Sequence, residues 1–151
     1  MVNSTFSLRD NEHFPSLRGI TVDNMFDHNT LEYYSEQGHE GFLRPTKHWC
    51  LLTEIVEERE WIRPMYTVKD KAGGQFLVAF HHDYDGTPGF RVSETFGMPA
   101  NRRLPESLAS NAKPGNVMAF MYAQNHMFAD GQQGIRVEDL DQVKVRVYSL
   151  L

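Results

Sequence analysis

Cysteine is nearly missing from this sequence: Cys50 is the only one in 151 residues. That excludes a disulfide framework and a zinc site of several thiolates. Long apolar runs are missing too, and none approaches the roughly 20 residues that a membrane helix needs. Residues 1–20 carry Arg9, Asp10, Glu12, His13 and Arg18 around no apolar segment, unlike a secretory leader. These absences lead to the expectation of a soluble chain in a reducing compartment, cytoplasmic or nuclear, with no membrane partner. Basic tracts are equally scarce. The longest is Arg102-Arg103, and 15 Lys and Arg are scattered among 20 Asp and Glu, for a net charge of −5. Nucleic-acid binding requires local neutralisation of phosphates, so this balance disfavours it while leaving room for a local basic groove. There is no Gly-x-Gly-x-x-Gly, no phosphate loop, no Gly-x-Ser-x-Gly elbow and no His-Glu-x-x-His. No cofactor is therefore expected, and no metal-ligand set is assigned.

A hydrophobic fraction of 40% and a charged fraction of 23% are those of an ordinary globular protein. The length suits one domain. Two textures divide it. Residues 1–45 are polar, rich in Asn, Asp, Glu and His, and show no strand alternation. They are expected to form an extension. Asp27 or Asn29 would cap a short helix over Thr30 to Gln37, ended by Gly38, with Leu31 and Tyr34 on its buried face.

Residues 46–151 show the two-residue period of β-structure. Trp49, Leu51, Thr53 and Ile55 alternate with Cys50, Leu52, Glu54 and Val56, and Glu57 to Glu60 mark a charged break. From Trp61 to Lys69, Ile62, Tyr66 and Val68 face one way; Trp61, Arg63, Met65, Thr67 and Lys69 face the other. Gly73 and Gly74 supply the positive φ of a hairpin turn after Asp70. Phe76, Val78 and Phe80 line one face of a third strand. Glycines and prolines between Asp83 and Pro99 signal a long loop. Leu104 to Asn111 suits a short helix, with Pro105 tolerated in its first turn. Val117 to Ala123 is a further strand, expected to be buried on both faces. Ala129-Asp130-Gly131 offers a hairpin turn, and the last strand signals are Gly134 to Val137 and Val143 to Tyr148.

Three strands, a short helix and two more strands give the order of a five-stranded Greek-key barrel of the OB type. Lys113-Pro-Gly-Asn-Val-Met-Ala-Phe-Met-Tyr-Ala, followed by Asp130-Gly-Gln-Gln-Gly-Ile-Arg-Val, resembles the fourth and fifth strands of the OB-fold family. The resemblance covers residues 48–148. It implies a mainly β domain that binds ligands across the face of its second and third strands. A second likeness lies in His126 to Asp139, which is similar to segments of fungal proteins that elsewhere carry MYND-type zinc fingers. With one cysteine this chain has no such finger, and the likeness implies a partner-binding accessory domain.

Two constellations are candidates for chemistry. The first is the outward row Trp61, Arg63, Met65 and Lys69, with Leu77 and His81 from the next strand. Trp, Arg and Met are typical anchors of protein interfaces. Trp beside Arg and Lys equally suits single-stranded nucleic acid, where bases stack and cations meet phosphates. Glu57, Glu58 and Glu60 weigh against phosphate. The same row is also what an ordinary solvated sheet face would show. The second is His82, Asp83 and Asp85 with His126, a possible acid–base or metal site in which His126 is the preferred proton shuttle. Cys50, inside an apolar run, is expected to be a core residue. The reading that follows is a non-enzymatic module binding a protein or peptide partner. The alternatives are a small enzyme built on residues 81–86 and 126, and single-stranded nucleic-acid binding.

Overall fold

The computed structural model describes residues 7–20, 32–36, 43–60, 63–82 and 103–147. Among them are β1 (Tyr34–Glu36), β2 (Leu43–Pro45), β3 (Cys50–Glu60), β4 (Pro64–Asp70) and β5 (Gln75–Phe80). After these come α1 (Glu106–Ala109), β6 (Val117–Met121), β7 (Asn125–Met127), β8 (Gln133–Val137) and β9 (Val143–Arg146). β1 and β2 form a small ladder of their own, and the other seven strands make one sheet in the order β7-β8-β5-β4-β3-β6-β9. All neighbours in that sheet are antiparallel except β5 and β8, which run parallel.

Alternation decides which side of the sheet is dry. Leu51, Thr53 and Ile55 on β3 lie beside Phe120 and Met118 on β6, and Ile55 lies beside Val68 on β4. Tyr66, Val78 and Ile135 form a row across β4, β5 and β8, and Phe80 sits next to Val137. All of these are buried, and the apolar ones belong to one core cluster. Burying a side chain of this size contributes about 1.5–3 kcal/mol.

A short connection bends the sheet. β6 and β7 are five strand spacings apart in the sheet order, about 24 Å if the sheet were flat. Only Tyr122, Ala123 and Gln124 join them, and four Cα steps reach at most about 15 Å. The sheet must therefore curl round its dry face. It does not close. A cleft of about 190 Å³, lined by residues 120–124 on one side and 135–139 on the other, separates the end of β6 from β8. Tyr122 makes the turn with a φ of 54°, in the left-handed region that a bulky residue seldom occupies.

The N-terminal segment packs on this body. Leu17, Ile20, Tyr33 and Tyr34 share the core cluster of the strands. The His13 carbonyl accepts the Cys50 amide at 2.8 Å. Buried Asp70 accepts the Leu17 amide at 2.8 Å with one carboxylate oxygen. Its other oxygen accepts the amides of Ala72 and Gly74, each at 3.1 Å, in the β4–β5 turn. One side chain thus orders the turn and fastens the N-terminal segment to it.

Several expectations are corrected. The domain is mainly β, but its sheet has seven strands rather than five and is curled rather than closed. The helix expected over Thr30 to Gln37 is replaced at 34–36 by strand β1, paired with residues 43–45. Tyr34 is buried as expected, but through long-range packing on Trp49 (ring centroids 5.5 Å apart) and a hydroxyl that donates to the Ala123 carbonyl. Glu32 and Tyr33 form a turn, and Thr30, Leu31, Gln37 and Gly38 of that expected helix lie outside the described residues. The charged break at Glu57 to Glu60 is continuous strand, because the backbone pairs with residues 64–67 whatever the side chains carry. A bulge at Val56 lets β3 change register there. The helix expected from Leu104 shrinks to Glu106–Ala109, where Pro105 leaves it without a side-chain cap.

Replacing Asp70 by Ala removes the carboxylate that accepts three backbone amides and is expected to cost about 3 kcal/mol, read as a lower urea midpoint. Faster hydrogen exchange at Leu17, Ala72 and Gly74 should accompany it. Gly134→Ala is expected to cost about 2–3 kcal/mol by overpacking. Its Cβ would collide with the Leu77 carbonyl and sit 2.9 Å from the Phe128 ring, whereas a Cβ at Gly73 meets open space. Thermal unfolding of Gly134→Ala checks this.

Candidate functional site

Once the inner positions are filled, the alternate residues of β4, β5 and β8 must look away from the core. Met65 lies beside Ala79, Thr67 beside Leu77 and Lys69 beside Gln75. The row continues from Leu77 to Gly134 on β8 and His126 on β7, and from Ala79 to Arg136. Arg63 precedes Met65 by two residues and His81 follows Ala79 by two, which gives both the same outward parity. His81 stays attached to the sheet, its amide donating to the Val137 carbonyl at 2.6 Å.

This outward surface is unusually dry at its centre. Leu77 is 9% exposed and Ala79 2%, although both lie on the side opposite the core. Phe128, from the turn joining β7 to β8, leans over Gly134. His126 meets it edge-on, with ring centroids 4.9 Å apart. The turn that carries Phe128 is fixed locally. Gly131, with φ 84°, donates to the Phe128 carbonyl at 2.8 Å, and the Gln132 amide donates to the Asp130 carboxylate at 3.0 Å. Met65 and Phe128 are half-buried and extend the apolar strip to its rim. Two flanking cations already have partners. The Lys69 ammonium is 3.6 Å from Glu54, and the Arg136 guanidinium is 2.9 Å from Glu138.

Of the expected binding row, Met65, Lys69 and Leu77 are brought together on this face, with Arg63 and His81 at its ends. Trp61 lies outside the described residues. Phe128 and Gly134 were not singled out in the sequence, although a glycine within a strand pattern is a signal of close backbone approach.

The acid–base candidates do not assemble among the described residues. His82 is buried beyond the end of β5, edge-on to Phe80 at 6.2 Å, and its Nε2 lies 3.0 Å from the Arg103 carbonyl. Phe80 belongs to the core side, while His126 projects from the outward side. Asp83 and Asp85 lie outside the described residues. Among those described, Asp10, Glu12 and His13 form a group whose donor atoms fall within 4.8 Å of one another. They are committed to each other and to neighbours. The His13 Nδ1 is 2.5 Å from Asp10, the Glu12 amide donates to Asp10 at 2.8 Å, and Glu12 faces Lys47 at 3.7 Å. The hydrogen bond with His13, followed by that from the Glu12 amide, holds the Asp10 carboxyl below its usual range.

Cys50 is half-buried beside Met121, and burial pushes its thiol up to about 11. Burial also pushes the Tyr34 phenol well up. The chain matches no family model, no curated protein and no solved structure.

At pH 8 a thiol titrating near 11 is ionised in about one molecule per thousand, and the thiolate is the nucleophile. Native Cys50 is therefore expected to react with iodoacetamide more than tenfold slower than in the urea-unfolded chain. Below about pH 9 the thiol is neutral in both states and its contribution to stability is complete. As pH rises towards about 11 the unfolded state ionises first, and stability falls. Equal alkylation rates in both states would contradict the burial of this thiol.

Proposed function

We propose that this chain is a non-enzymatic binding module that takes a protein or peptide partner on the outward face of β4, β5 and β8. The observation that carries this reading is the apolar strip Met65–Leu77–Phe128, which crosses adjacent strands on the side away from the core. Leu77 is already shielded in the free chain, so the apolar area a partner would remove from water is that of half-buried Met65 and Phe128, and an apolar centre with a polar rim is the anatomy of a protein interface.

An OB-like description of the domain is part of the proposal. Its support is the pairing order: β3, β4 and β5 form a meander, β6 returns beside β3, and β8 runs parallel to β5. The short link from β6 to β7 bends the sheet in the sense that such a barrel requires. On that description β4 and β5 are the second and third strands, whose face binds ligands in this family. Phe128 and His126 come from the connection between the fourth and fifth, with Arg63 from that between the first and second. The likeness of residues 126–139 to segments of fungal MYND-type proteins points to an accessory, partner-binding role as well. A cytoplasmic or nuclear setting is proposed on the strength of the lone, half-buried thiol.

Charge favours a protein over single-stranded nucleic acid. Phosphate binding would have to displace Glu54 from Lys69 and Glu138 from Arg136, in a chain of net charge −5. An enzyme built on His82 and His126 is disfavoured because the two rings lie on opposite sides of the sheet.

A peptide-display selection against the full chain tests the reading. Selected peptides are expected to present an apolar anchor and to bind Met65→Asp, Phe128→Ala or Trp61→Ala at least tenfold more weakly, with far-UV circular dichroism unchanged. Peptides indifferent to all three substitutions would overturn the assignment of this face.

A further inference from the structure

Strand β9 lies at one end of the sheet order. It pairs with β6 through Val117–Arg146, Met118–Val145, Ala119–Lys144 and Phe120–Val143, and no other described strand pairs with it. In an antiparallel ladder alternate residues turn both backbone groups away from the neighbour. The Val143 amide is taken by the Leu140 carbonyl, and beyond it the outer side of β9 meets no other described strand.

Two exposed cations stand on this strand. Lys47, Arg59, Lys69, Lys113 and Arg136 each face a carboxylate at 4 Å or less. Lys144 and Arg146 are exposed. Neither makes an ion pair with a described residue, and their neighbours across the ladder are Ala119 and Val117. Both stand on the face opposite Val143 and Val145. Val147, just past the strand, is 59% exposed. A chain of net charge −5 thus places two cations, without an ion pair to a described residue, on one face of its last described strand.

We propose that β9 is a docking edge for an extended acidic segment of a partner protein, added as a further strand beside Val143–Val147. The main chain would supply hydrogen bonds, while Asp or Glu at alternate positions of the partner meets Lys144 and Arg146. A second copy of this chain is a poor occupant. A two-fold antiparallel pairing about Val145 sets Lys144 opposite the partner's Arg146, and like charges directly opposite destabilise the pair. Cations on an edge strand discourage self-association, yet the same pattern attracts an acid-bearing strand. The opposite end of the edge carries Asp139 and Asp141, so the acidic residues of the partner are confined to the Lys144–Arg146 end.

The probe is a blocked seven-residue peptide alternating aspartate and valine, titrated into the full isotope-labelled chain at low salt. Amide shifts are expected to cluster at residues 143–147. Affinity is expected to fall at least tenfold in Lys144→Glu/Arg146→Glu, a surface change that leaves the fold intact by circular dichroism. It should fall similarly when the aspartates are replaced by asparagine, and when alternate peptide amides are N-methylated. Several results would overturn the proposal: no binding, shifts mapping away from β9, or affinity indifferent to charge reversal or N-methylation. Concentration-dependent dimerisation through β9 in sedimentation, or an oligothymidine binding as well as the peptide, would overturn it as well. Because β9 is separate from the Met65–Phe128 strip, the mapped amides distinguish failure here from failure of the face proposed above.

Discussion

The fold depends on the three residues between β6 and β7. They connect strands that stand five places apart in one sheet, and a connection that short is compatible only with a sheet rolled round its apolar side. Rolling gives Leu51, Phe80, Phe120 and Ile135 a common interior. It also gives the sheet a convex outer surface. β6 is thereby left with a second free side, which β9 takes, and β9 in turn becomes the edge.

The residues at this bend are clamped from several directions. Ala123 receives the Tyr34 hydroxyl on its carbonyl. The Tyr122 ring packs against Trp49 at 6.1 Å, and its hydroxyl lies 2.6 Å from the His48 Nδ1. A tyrosine with positive φ costs of order 1 kcal/mol or more and persists only where its surroundings over-determine it. Here the aromatic contacts and the hydrogen bonds offset that strain. Segments distant in sequence therefore cooperate: Tyr34 holds the bend while Asp70 holds the β4–β5 turn and the N-terminal segment. Local contacts alone would produce neither.

The two proposed surfaces use different physics. The face of β4, β5 and β8 offers apolar area whose flanking Lys69 and Arg136 are neutralised within the chain, which suits an apolar anchor. The β9 edge proposed above joins no further described strand and carries Lys144 and Arg146 without an ion pair to a described residue, which suits an extended acidic strand.

The two-residue period fixed which faces of β3, β4, β5 and β6 are buried, since Leu51, Tyr66, Val78 and Phe120 recur at the spacing that alternation imposes. Gly73 and Gly131 marked turns because few other residues tolerate their backbone angles. The outward set Met65, Lys69 and Leu77 was legible for the same reason. Strand β1 was not, because Tyr34 is held by Trp49 and Ala123, partners far along the chain that no local pattern reports. Nor did composition reveal that Glu57 to Glu60 stay in a strand, because backbone hydrogen bonds there override the side chains. The approach of Phe128 to Gly134, the separation of His82 from His126 and the place of β9 at one end of the described sheet were decided by tertiary structure alone. Each is a relation between segments, and it exists only once the sheet has chosen its neighbours and its curl.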